Sequence, residues 1–428
     1  MPLSDLSASL RRHTLPNGLR VVLHRDDRLP LVALNLWYHV GSKNEAPGET
    51  GFAHLFEHLL FQGSAHVDTN GHFHAVQQVG GSANGSTWFD RTNYYETLPA
   101  HHLERGLWLE SDRMGFFLEA IDQRKLDTQR DVVINERRQR IDNQPYGRAF
   151  ERMNEMLFPP GHPYRWPVIG SIPDLEAATL DTVRRFFRDF YAPNNAVLTL
   201  AGAFDNDEAL TAIERWFGPI PSGPPIERPR VDDPTEPFER REVLPDDVPL
   251  VRLYLGHHAP PFGTESWYAG DLLAHVLAAG KTSPLYRDLV YDRRLAQDVG
   301  AFILPTELGG SFLIVATAKP GVEAERLEEA LAEHLRRAAA EPPADDDLER
   351  ARRRILTSLY GELESLGDRA DHLSRFTTFF DRPADAFREA ERYQTLDGEA
   401  LRAFAAAHLA DTKRAVLTVA PKPAAEAG

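Results

Sequence analysis

The chain contains no cysteine. Disulfides and thiolate metal ligands are therefore excluded, which leaves nitrogen and oxygen donors for any metal site. It also lacks any run of about 20 apolar residues, the length needed to span a bilayer. The first residues, MPLSDLSASLRRHTLPNGLRVVLHRDD, show no cationic stretch leading into an apolar one, so the sequence reads as that of a cytoplasmic protein. Positive charge is scarce. With 48 Lys and Arg against 64 Asp and Glu, the net charge is -16. A nucleic-acid binder needs a basic face and an anionic membrane attracts cations, so neither partner is expected. Basic peptides are electrostatically favoured, although a solvated acidic surface is the simpler reading.

What is present describes a large soluble globular chain. At 428 residues, with 42% hydrophobic and 26% charged residues, it exceeds one ordinary core and should form two or more domains. The stretch FGPIPSGPPIERPRVDDPTEPFERRE, residues 217 to 242, is dense in proline and charge and poor in periodicity. It reads as an extended linker near the midpoint. LDTVRRFFRDFYAPNNAVLTLAG (180 to 202) and LDGEALRAFAAAHLADTKRAVLTVAP (396 to 421) each run a helical pattern into a strand beginning Ala-Val-Leu-Thr. These strands start at Ala196 and Ala415, 219 residues apart. A shared helix–strand order at half-chain spacing favours an internal duplication. We expect an N-terminal domain over 1–216, a linker over 217–242 and a homologous C-terminal domain over 243–428.

Within the first half, HTLPNGLRVVLHRD signals a hairpin turning at Asn17-Gly18. LVALNLWYHV is a mostly apolar strand, followed by a helix that carries His54 and ends by Gly63. A helix near 70 to 79, strands near 82 to 88 and 93 to 98, and helices over about 101 to 157 complete the pattern. Strands and helices mix without strict alternation. The predicted class is α+β, two homologous domains, each a mostly antiparallel sheet with helices packed on one face.

GFAHLFEHLLF, residues 51 to 61, puts two histidines and a glutamate into an otherwise apolar run. His54, Glu57 and His58 stand at i, i+3 and i+4, so they project from one face of a helix. Burying such groups is costly unless a hydrogen-bond network or a metal ion pairs with them. A lone buried histidine is usually a hydrogen-bonded core residue. Two neutral imidazoles one turn apart can bind one ion together, and zinc is the usual choice for such donors. Chance appearance of H-x-x-E-H in a chain of this composition is on the order of a few per cent, so the motif alone only suggests. A catalytic zinc takes three protein ligands and keeps a position for water. Glu57, roughly 100° round the helix from His58, is better placed as a general base than as the third ligand. Glu136, after the apolar run Val132-Val133-Ile134 in LDTQRDVVINERRQRI, is a candidate third ligand from another helix.

HLFEH, then VVINERR with 77 residues between His58 and Glu136, resembles the insulinase/pitrilysin-like zinc metallopeptidases, whose motif inverts the H-E-x-x-H order. GGSANGSTWFDRTNYYETLP (80 to 99) is similar to the family's edge strand, which pairs with substrate backbone. LPNGLRVVL, HPYRWPVIG, FYAPNNAVLTLAG and the two-half layout fit as well. The resemblance implies one zinc per chain held by His54, His58 and Glu136, with Glu57 as general base. Ala83 and Asn84 would meet the backbone of a peptide substrate adding as a strand.

Two departures stand out. Relatives carry a second glutamate seven residues before the glutamate ligand; here Gln129 stands there, a neutral amide that can hold a histidine N–H without adding charge. Relatives also use an Arg and, seven residues later, a Tyr from the second half; the corresponding positions hold Val290 and Gln297, which cannot stabilise an oxyanion as that pair would. A peptide chamber in this family needs four domains and this chain supplies two. The expectation is a dimer, with an Arg/Tyr-bearing homologous chain preferred over a second copy. A non-catalytic assembly subunit is the alternative, against which the intact motif counts. The phosphate-loop look of AAGKTS (278 to 283) fails because His275 stands where a glycine is required. His72 and His74, His101 and His102, and His257 and His258 are expected at the surface or as caps.

Overall fold

Asn17 and Gly18 turn the chain between β1 (Leu10–Thr14) and β2 (Arg20–Arg25), which pair antiparallel from Thr14 opposite Arg20 to Leu10 opposite His24. Gly18 has φ +90°, and a Cβ there would lie 2.8 Å from that of Asn194, so the turn needs glycine. The structure is a computed structural model that describes residues 9–231 and 238–422. Residues 232–237, inside the expected linker, lie outside the described residues.

The described residues form two mostly antiparallel sheets. The first contains β1, β2, β3 (Leu31–Tyr38), β4 (Ser82–Thr87), β5 (Thr92–Pro99) and β6 (Ala196–Gly202), in the order β1-β2-β6-β3-β5-β4. The second contains β7 (Phe238–Asp246), β8 (Arg252–Ala259), β9 (Ala296–Ile303), β10 (Gly310–Ala318) and β11 (Lys413–Pro421), in the order β7-β11-β8-β10-β9. Set β1 aside and the two follow one path. In each, the first strand runs parallel to the last, and the remaining pairs are antiparallel. The two Ala-Val-Leu-Thr strands are β6 and β11, which hold equivalent places. This is the α+β duplication that the repeat in the sequence implied.

The helices around the first sheet include α1 (Phe52–Leu59), α2 (Gly71–Gln77), α3 (Leu103–Ala120), α4 (Gln123–Arg137) and α5 (Leu180–Phe190). Their apolar faces share one core with Leu34, Leu36 and Tyr38 of β3. A further helix, α6 (Leu366–Phe380), covers the opposite face. Ala370 packs with Ala33 and Ala201, and Ser374 Oγ bonds Thr199 Oγ1 at 2.8 Å. Strand β3 is thus buried on both faces, which is why it reads as an almost unbroken apolar run.

The chain forms two compact units that do not follow the linear order of the halves. One gathers the residues up to Glu136, Trp166–Pro229 and Tyr360–Glu389; the other holds Arg137–Arg165, Arg230–Leu359 and the residues from Ala390 onward. Residues 221 to 231 carry no helix or strand, whereas β7 begins at Phe238 inside the span expected as linker. That strand alternates exposed with half-buried positions and is rich in charge, so it gives no apolar signal. Among the described residues, no helix is long and apolar enough to cross a membrane.

Candidate metal centre

Helix α1 starts where Gly51, at φ +90°, turns the chain under Ile169 and Gly170; a Cβ there would lie 2.7 Å from the Ile169 carbonyl oxygen. The buried carboxylate of Glu45 caps the helix, accepting from Gly51 N at 2.9 Å and Ala53 N at 2.8 Å. Phe52, Leu55, Phe56 and Leu59 fill the core, with Phe56 stacked on Phe186 and Tyr191. Anchored in this way, the helix turns His54, Glu57 and His58 away from the core.

Glu136 comes to this face from α4, one turn before whose end Val133 and Ile134 are buried. Both histidines point Nε2 at one oxygen of that glutamate, Oε2, at 3.9 Å from His54 and 3.3 Å from His58. One ligand atom from each of the three residues lies within 4.8 Å of the other two. Four donors placed tetrahedrally on bonds of about 2.0–2.1 Å stand about 3.4 Å apart, so this trio matches the spacing a zinc ion requires. The side chains of His54, His58 and Glu136 keep 13%, 23% and 17% of their surface exposed, which leaves one side accessible to water and substrate. The donor set therefore fits a zinc ion.

Glu57 is held from the sheet. Its Oε2 accepts a 2.7 Å hydrogen bond from Thr87 Oγ1 on β4. Burial raises the Glu57 carboxyl above its ordinary range, opposed by the Thr87 hydroxyl and the neighbouring His58. Gly85 lets the strand approach: a Cβ there would meet Glu57 Cγ and Phe61 at 3.1 Å. β4 is the last strand of its sheet, so its outer edge faces no strand among the described residues. Ala83 and Asn84 lie on it, opposite Glu96 and Tyr95. Asn84 is exposed, and its Oδ1 accepts from Gly85 N at 2.9 Å. Gln129 is buried in α4 and makes no side-chain hydrogen bond to either imidazole among the described residues. Sequence reasoning missed Thr87 and Glu45. The parity of β4 carried a signal for Thr87, since Gly85 and Thr87 lie two residues apart on one face.

The histidine pairs differ from the expectation. His74 and His101 are exposed, but His72 and His257 are buried. His72, from α2, contacts Glu96 of β5 and lies 3.7 Å from Glu110 of α3. Arg113 bonds Glu110 through Nε and Nη2 and lies over the Tyr94 ring at 4.1 Å. Burial pushes the Glu96 carboxyl up to about 7 and the His72 imidazole down to about 3. The Arg113 guanidinium already pairs with Glu110, so the cluster reads as a structural network. Three elements distant in sequence build it, which local spacing could not reveal.

Residues 20–160 match the family described as Insulinase (Peptidase family M16), and residues 177–355 match the Peptidase M16 inactive domain. The first match includes His54, Glu57, His58 and Glu136; the second includes none of them. The zinc protease PqqE of Helicobacter pylori is 30% identical over 331 residues, 76% of this chain and 74% of that protein. A solved structure of a protease from Helicobacter pylori is similar with a TM-score of 0.90 and 26% identity, covering 96% of this chain and 99% of that chain. The periplasmic protease PqqL from Escherichia coli shares the fold at a TM-score of 0.76 and 18% identity, over 96% of this chain but 47% of that chain. Duplicated sheets, an H-x-x-E-H helix and both halves matched in order lead to one conclusion: the chain belongs to the insulinase family, peptidase family M16.

Proposed function

We propose that this chain is a zinc-dependent endopeptidase acting on peptides or unfolded segments. The convergence of His54 and His58 on Glu136, with Glu57 alongside, carries the reading. His54, His58 and Glu136 hold the zinc, one ion per chain. When bound, zinc supplies Lewis acidity towards water and the scissile carbonyl. Glu57 accepts the proton of the attacking water and returns it to the leaving amine. Thr87 keeps that carboxylate in place, and the Ala83–Asn84 edge of β4 receives substrate backbone as an added strand. The zinc protease name of the Helicobacter pylori relative supports both metal and activity.

The active form is a dimer enclosing a chamber, and the preferred partner is a homologous chain bearing the Arg and Tyr absent at Val290 and Gln297. That this fold spans 47% of a double-length chain supports pairing. The alternative, a non-catalytic assembly subunit, draws on the inactive-domain match over 177–355, but that segment lies outside the metal trio. Peptide digestion by zinc-loaded and chelated protein, with and without a homologous chain, tests the proposal. Zinc-dependent cleavage is the expected result. Cleavage that survives complete chelation would contradict it.

A further inference from the structure

Ser86 and Thr87 are neighbours in an extended strand, so their side chains leave opposite faces of the sheet. Thr87 reaches forward to Glu57; Ser86 reaches back. Ser86 Oγ donates to Asn93 Oδ1 at 2.6 Å, and Asn93 Nδ2 donates to Asp371 Oδ1 at 3.1 Å. The same Asp371 oxygen accepts from Trp37 Nε1 at 2.8 Å and Asn35 Nδ2 at 3.2 Å. Arg91 Nη1 completes the tie, bonding the Ser86 carbonyl at 2.8 Å and its hydroxyl at 2.7 Å. An unbroken set of contacts therefore joins α6, from the far end of the sequence, to the glutamate at the metal trio.

We infer that Asp371 is a positioning residue for the peptidase reaction, fixing through Asn93 and Ser86 the edge strand whose Thr87 holds Glu57. The chemistry follows from the donor inventory. An ionised aspartate only accepts, so together with Asn35 Oδ1, which accepts from Asn93 Nδ2 at 3.1 Å, it turns Asn93 Nδ2 towards it and Oδ1 towards Ser86. An asparagine at 371 keeps one acceptor oxygen but loses the charge that strengthens the three hydrogen bonds to it and that faces the buried Arg91, so the tie to Ser86 loosens. The strand that depends on this tie has a sheet neighbour on one side only, so side-chain anchors matter more there than in a central strand. A shift of about 1 Å in a catalytic group can cost about 10²-fold in rate, so loosening β4 should be visible in turnover.

The inference rests on Glu57 acting as the base, and the test separates the two. Asp371→Asn, Thr87→Val and the double variant are compared with Glu57→Gln and wild type in the zinc-loaded chain. Each single variant should lower kcat about 10-fold with zinc content unchanged; KM should hold in Thr87→Val, whereas Asp371→Asn, which loosens the substrate-binding strand, can raise it as well. The double should fall little further, because both changes release the same carboxylate. Hydrogen exchange at 85 to 87 should quicken in Asp371→Asn and not in Thr87→Val, a reading that needs no turnover. Ser86→Ala should reproduce the Asp371→Asn effect should that protein fold poorly. An inactive Glu57→Gln beside a fully active Asp371→Asn with unchanged exchange would overturn the inference alone. So would a double variant slowed about 100-fold, the product of independent losses. A fully active Glu57→Gln would overturn the proposed function and this inference together.

Discussion

At the scale of single residues, Glu57 is the side chain on which the proposed chemistry turns. Glu57→Gln keeps shape and loses the ability to accept a proton. It should fold and keep zinc while peptide hydrolysis falls at least ~10² to 10⁴-fold, measured on the zinc-replete protein. Near-native turnover would remove Glu57 from the mechanism. The buried network makes a separate prediction. At pH 6, Glu110→Gln leaves the Arg113 guanidinium buried without its carboxylate and should cost about 3–5 kcal/mol in urea unfolding. Glu96 already favours its neutral form there, so Glu96→Gln should change stability by less than about 1 kcal/mol. The pH dependence separates them further. Glu96 titrates higher in the folded state than its ordinary 4.5, so folding takes up a proton there and its contribution is lost as pH rises towards about 7. His72 titrates lower than its ordinary 6.5, so folding releases a proton there and its contribution grows from about pH 3 to 6.5. Between pH 4.5 and 6.5 the two slopes oppose and cancel. The other shifted groups are common to both proteins, so the Glu96→Gln stability profile should climb about 1.4 kcal/mol per pH unit more steeply than the wild-type profile over that window. Parallel profiles in the variant and the wild type would contradict the assignment. Of these residues, His54, Glu57 and His58 were legible because helix spacing is local. Glu136 rested on resemblance, and Thr87 and the Glu96 network depend on contacts between distant segments.

At the scale of elements, β4 and α6 differ in how they were signalled. β4 was legible, as were the Asn17-Gly18 hairpin and helix α1, since turn chemistry and periodicity are written in a few consecutive residues. The place of α6 was not. Its apolar and small residues announce a helix, but nothing local says that it covers the first sheet rather than the second. β7 was hidden because an edge strand of alternating charged residues looks like linker. The outer edge of β4 is where an added substrate strand would pair, and Asn84 stands there exposed. Asn84→Ala should raise KM for peptides about 10-fold, the worth of roughly one hydrogen bond, with kcat and zinc content little changed. Steady-state kinetics on a peptide of several residues checks this; an unchanged KM would place substrate elsewhere.

For the whole molecule, the two sheets of one topology made the duplication plain, although the compact units exchange segments that a linear cut at 217–242 keeps apart. In the proposed function one half carries the metal trio, and Val290 and Gln297 stand where the other half would supply the Arg and Tyr. Adding a homologous chain with that pair should raise peptide cleavage about 10² to 10³-fold, the typical contribution of an oxyanion donor. Equal rates with and without any such partner would contradict the heterodimer. All of this depends on the metal. Elemental analysis of zinc in the wild-type chain, Glu57→Gln and Glu136→Gln is therefore the most direct measurement. The account predicts one zinc per chain in the first two and near none in Glu136→Gln, since two imidazoles alone bind the ion poorly. Full occupancy in Glu136→Gln, or none in the zinc-loaded wild type, would contradict it.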